Sequence, residues 1–95
     1  MKDMKVMVLQ TNGSIEEFRT EWSLKMAQEI VGGLIEAVSL TGATMYINEE
    51  GKILGLPAND LATQIWHDDL YKRGCAVGWD VIVGDVLIVG DTDAR

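Results

Sequence analysis

The chain has 95 residues, 47% of them hydrophobic, which is enough for one core and too little for two. Fifteen acidic and eight basic side chains leave a net charge of −7, which argues against nonspecific DNA or RNA binding because phosphate contacts need clustered Lys and Arg. No run approaches the ~20 apolar residues of a membrane span, and the single Cys75 excludes an internal disulfide and fits a reducing compartment.

Lys5 to Gln10 is rich in β-formers and reads as a first strand. It follows basic residues, but its apolar run is short and no small-residue cleavage site comes after it, so a strand is expected here and not an export signal. Thr11-Asn12-Gly13-Ser14 is a turn, predicted as type I′ from Asn-Gly, and Ile15 to Arg19 is expected to return antiparallel. Glu16, Glu17 and Arg19 would protect its edge. Thr20 is the predicted N-cap of a helix with Glu21 in its first turn, where Glu21 and Lys25 form an i,i+4 pair. Its apolar stripe runs through Trp22, Met26, Ile30 and Leu34. Gly32-Gly33 closes it, since glycine enters the left-handed region without a Cβ clash.

Ile35 to Leu40 and Ala43 to Asn48 read as two strands joined at Thr41-Gly42. Glu49 to Lys52 is a polar turn leading through Ile53-Leu54 to the Gly55-Leu56-Pro57 bend. Asn59 or Asp60 can cap a second helix with an apolar stripe of Ala58, Leu61, Ala62, Ile65, Trp66 and Leu70. Asp68–Lys72 and Asp69–Arg73 are i,i+4 pairs in the acid-first order, and Gly74 suits the helix exit. Val81 to Val83 and Val86 to Val89 are two β-type runs separated by Gly84-Asp85, a turn or a bulge, and residues 90–93 read as a frayed end or turn. The expected architecture is α+β: a curved, mostly antiparallel sheet of five or six short strands, with two helices packed on one face.

Four motifs stand out along residues 30–90: Val31-Gly32-Gly33-x-Ile35-Glu36, Asn48-Glu49-Glu50-Gly51-Lys52, Gly55-Leu56-Pro57-x-Asn59, and Val83-Gly84-Asp85 leading into Ile88-Val89-Gly90. In order and spacing they resemble a family of small domains of unknown function, encoded mainly by bacteriophages, plasmids and other mobile elements. The resemblance implies an accessory protein acting in the cytoplasm of a bacterial host. It supplies no activity and no catalytic residues. The helical segment from Leu61 to Val77 is longer than in the shortest members, and Ser14 to Trp22 carries no motif.

Candidate chemistry is sparse. His67 is the only histidine, and its neighbours Asp68 and Asp69 do not face it along a helix. It has no Cys-His motif with Cys75, so it is expected to be exposed and idle. Asp85, Asp91 and Asp93 have hard oxygens but no calcium-loop spacing, so no metal is expected. Phosphate-loop patterns are absent, and Gly32-Gly33 follows a helix where a phosphate cradle would precede one. No cofactor and no catalytic residue is expected.

Asn48 and Asn59 lie inside motifs and are not demanded by core packing. Asn59 is expected to cap a helix, and Asn48 to close a turn. With backbone donors of the Gly55-Leu56-Pro57 bend they outline a small-molecule or nucleotide site. Trp22 and Trp66 are expected in the core, and Trp79 at its edge or as an interface anchor. The apolar stretch from Val81 to Val89 would support a homodimer if it formed an open edge. The leading expectation is a noncatalytic protein that binds a host or phage protein, with counter-defence as one instance. The residues expected to touch a partner or ligand are Asn48, Glu49, Glu50, Asn59, His67 and Trp79.

Overall fold

The computed structural model describes residues 3–90. Strands β1 (Met4–Leu9) and β2 (Ile15–Thr20) form one hairpin, and β3 (Ile35–Leu40) and β4 (Ala43–Asn48) form another. The last strand, β5 (Val86–Gly90), enters between them. The strand order is β2-β1-β5-β4-β3, and every neighbouring pair is antiparallel. With helices α1 (Leu24–Val31) and α2 (Asp60–Lys72) this is an α+β fold.

The central place of β5 explains its composition. Val86, Leu87, Ile88 and Val89 are all buried. Alternate side chains point to opposite faces, so an unbroken apolar run is what a strand covered on both faces requires. Val86 and Ile88 join Leu9, Met45 and Ala62 in one cluster, with Ile65 and Trp66 of α2 packed against it. Leu87 and Val89 join Val6, Val8 and Ala27 in the other, with Met26 and Ile30 of α1 packed there. The helices therefore lie on opposite faces of the sheet, not together on one. The apolar run is no open edge; the edges are β2 and β3. Val81 to Val83 does not add a sixth strand, and only an isolated bridge joins Val83 to Ala58.

Local chemistry revises three further expectations. The first hairpin turns through Gln10 to Ser14: the Gly13 N–H donates to the Gln10 carbonyl and the Gln10 N–H to the Ser14 carbonyl, both at 2.9 Å. Within this turn only Gly13 has a positive φ, 90°, so Asn12 is not left-handed. This is a type I turn followed by a glycine bulge in place of type I′. Helix α1 begins later than Thr20, which remains in β2 opposite Met4. Ser23 is the N-cap, its hydroxyl accepting from the Met26 N–H at 3.2 Å. Glu21, Trp22 and Leu34 consequently lie outside α1, which removes the Glu21–Lys25 helical pair. Trp22 is 38% exposed and stacks on Tyr46 with ring centroids 4.9 Å apart. Trp66 is half-buried against the α2-side core, as its stripe predicts.

Both helices end as the glycines indicate. Gly32 has φ 81° and donates to Gln28, as does Gly33. Gly74, at φ 75°, donates to the Tyr71 carbonyl while the Cys75 N–H reaches Leu70, the paired bonds of a Schellman exit. Asp69 pairs with Arg73 at 2.8 Å, whereas Asp68 accepts from Gln64 at 3.1 Å.

Candidate functional site

The sequence motifs meet at a structural junction. Asn48 is buried; its amide donates to the Val31 carbonyl at 3.1 Å and its oxygen accepts from the Glu50 N–H at 2.8 Å. Asn59 is only 1% exposed. Its oxygen caps α2 through the Ala62 N–H at 3.0 Å, and its amide donates to the Leu9 and Gly84 carbonyls, each at 2.9 Å. Gly51 is packed so closely that a Cβ there would come within 2.8 Å of a Val83 methyl, and at Gly84 within 2.8 Å of Leu56. The Gly84 N–H donates to the Pro57 carbonyl at 2.8 Å, and Asp85 accepts from the Thr11 N–H at 3.0 Å. These bonds join α1, both hairpins, α2 and the entry to β5. Both asparagines are buried and hydrogen-bonded across elements of the fold, contrary to the expectation that packing did not demand them.

One of the open surface features lies beside this junction. A groove of about 210 Å³ runs between β3, the turn after β4, and the segment 80–83. Val38 and Ile47 from the sheet, Trp66 from α2, and Ile82 and Val83 supply its apolar lining. Glu36, Glu49 and Asp80 supply three acids against one base, Lys52. Lys52 pairs with Asp80 and so bridges the turn to the 75–81 segment. His67 holds the same segment from α2, its Nε2 donating to the Asp80 carbonyl at 2.8 Å. Ile82 is fixed through its N–H to the Thr63 hydroxyl at 2.9 Å. Between these anchors and the end of α2, every residue from Cys75 to Val81 is exposed. Trp79 is 100% exposed and Ile53, at the groove, 86%.

Of the expected contact residues, Asn48 and Glu49 line the groove, and Trp79 adjoins it through Asp80. His67 stands behind as an anchor. Glu50 and Asn59 are not among the lining residues. Glu36, Lys52, Ile53 and Val81 also line the site; Glu36 and Lys52 lie inside the sequence motifs, but nothing in the sequence marked any of the four as a contact residue. Among the described residues no group of three His, Cys, Asp or Glu side chains is placed to hold a metal ion; Asp91 and Asp93 lie outside those residues. Cys75 is exposed at the exit of α2. No helix of the described residues is long and apolar enough to cross a membrane.

The model of one protein family, described as a domain of unknown function (DUF3846), matches residues 4–95. The chain belongs to this family. The match to DUF3846 covers every element of the fold, both hairpins and the groove included. No curated protein and no solved structure matches the chain.

Proposed function

We propose that this domain is a noncatalytic accessory protein of a bacteriophage or other mobile element, which binds a host or phage protein in the bacterial cytoplasm. The observation that carries this reading is Trp79, fully exposed and next in the chain to Asp80 of an acidic groove whose Ile53 is also largely bare. Buried aromatic anchors dominate protein interfaces, and leaving a tryptophan wholly in water gives up apolar burial of about 2–3 kcal/mol unless something covers it. The anchored ends of the 75–81 segment favour an element that presents a side chain over one that covers its own core. A charge of −7 directs the choice toward a basic partner surface. Interference with a bacterial defence system is one instance of such a role.

A small-molecule or nucleotide site in residues 48–59 has less support. The amides of Asn48 and Asn59 are already bonded to backbone groups, which leaves little in them to recognise a ligand. The discriminating experiment uses the immobilised chain and a Trp79→Ala/Ile53→Ser variant against lysate of cells carrying the mobile element. The wild type is expected to retain one protein, less of it as salt rises, and the variant to lose it. Equal retention by both would overturn the reading, and so would a gain in thermal stability on adding one metabolite without any retained protein.

A further inference from the structure

The backbone direction along β3 can be read from its partners. The Glu49 N–H donates to the Leu34 carbonyl at 2.8 Å, and the register continues through Glu36↔Ile47, Val38↔Met45 and Leu40↔Ala43. Antiparallel pairs alternate between bonded and non-bonded positions. Leu34, Glu36, Val38 and Leu40 therefore bond inward to β4, while Ile35, Ala37 and Ser39 turn their N–H and C=O groups outward. The Arg73 guanidinium reaches the Ser39 carbonyl at 3.5 Å, which agrees with that direction and covers the far end of the edge. Ala37 remains exposed, and the groove adjoins the strand at Glu36 and Val38. The opposite edge differs: β2 carries Glu16, Glu17 and Arg19, with Glu17 paired to Lys5 and Arg19 bonded to the Asp3 carbonyl, the charged protection of a closed edge.

We propose that the β3 edge takes an extended, basic segment of the partner protein as a sixth strand, its alternate lysine or arginine side chains lying in the groove. This rests on the protein-binding reading above and adds how the partner is recognised. Residues of an added strand opposite Glu36 and Val38 share the groove's face. There the aliphatic stem of a lysine or arginine covers Val38 and Trp66 while its charge meets Glu36 and Glu49. The outward N–H and C=O groups of Ile35 and Ala37 supply the main-chain bonds. Charge disfavours a second copy as occupant, because self-pairing joins two chains of −7 and sets two copies of Glu36 and Glu49 on one face.

The test is amide NMR on the full chain, titrated with a capped octapeptide of alternating lysine and valine and with its glutamate-for-lysine counterpart. The lysine peptide is expected to shift and protect the amides of Ile35, Ala37 and Ser39, and the glutamate peptide to leave them unmoved. Ala37→Pro deletes an outward N–H without removing a bond to β4, so binding is expected to weaken at least about tenfold with the dispersed spectrum kept. Should that variant fail to fold, Glu36→Lys/Glu49→Lys tests the same point by reversing the preference between the two peptides. Shifts confined to Trp79 and Ile53, with β3 unmoved, overturn strand addition and leave protein binding standing. A dimer that Ala37→Pro converts to monomer overturns it in favour of a second copy.

Discussion

Asn59 stabilises the fold with three hydrogen bonds, and its two side-chain atoms do different work. The oxygen caps α2, while the amide bonds to carbonyls on β1 and at the entry to β5. Asn59→Ala removes a cap worth about 1 kcal/mol and leaves two buried carbonyls short of a donor, for a combined loss of about 3 kcal/mol. Asn59→Asp separates the roles. It keeps the capping oxygen and sets a second carboxylate oxygen against the Leu9 and Gly84 carbonyls, so it is expected to destabilise at least as much as alanine. Denaturant midpoints for the two variants check this, and a near-neutral Asn59→Asp would mean that the amide bonds contribute little. The capping half of this role was legible in the sequence, from an asparagine ahead of an apolar stripe. The amide half was not, because both of its acceptors are backbone carbonyls, one of them fifty residues away, and a carbonyl carries no residue signature.

At the scale of elements, the exit of α2 is tied to the tip of the second hairpin. The Thr41 N–H donates to Asp69 at 3.0 Å, and Arg73 sits 2.8 Å from the same carboxylate. The Thr41 bond is the main reason the Asp69 carboxyl titrates below its ordinary value of 3.8, with Arg73 assisting against partial desolvation. Because the folded group titrates lower than the unfolded one, its stabilisation is full above about pH 5 and fades as pH falls through the folded value. Asp69→Asn is therefore expected to lower Tm at neutral pH and to lie progressively closer to the wild type in acid. A Tm difference that stays constant from about pH 7 to pH 2 would show that the charge is not the cause. The Asp69–Arg73 half of this arrangement follows from i,i+4 spacing. The Thr41 half depends on which sheet face α2 covers, and helical periodicity says which side of the helix is apolar but not which face of the sheet receives it. The same gap explains why both helices were expected on one face.

For the molecule as a whole, the decisive element is the last strand. Among the described residues the two hairpins are hydrogen-bonded into one sheet through β5 alone, which pairs with β1 on one side and β4 on the other. The hairpins themselves were readable, since short turns join strands adjacent in sequence. The insertion of β5 between β1 and β4 was not, though its continuous apolar run was the available signal: an edge strand with one wet face would alternate, and Val86 to Val89 does not. Burying these four side chains contributes about 2 kcal/mol each, together about 8 kcal/mol. That is comparable with the whole stability of a small domain, about 5–15 kcal/mol. A chain ending at Asp85 should therefore lack a cooperative transition and give a collapsed, poorly dispersed amide spectrum, because each hairpin would expose to water the apolar residues that β5 covers. Adding a synthetic peptide of residues 85–95 should restore dispersion by strand complementation, with the Met7, Thr44 and Tyr46 amides, which face β5, returning first to protected exchange. A truncated chain that kept its dispersed spectrum would mean that the helices alone hold the hairpins together, and β5 would then be a covering strand and not the one that closes the sheet.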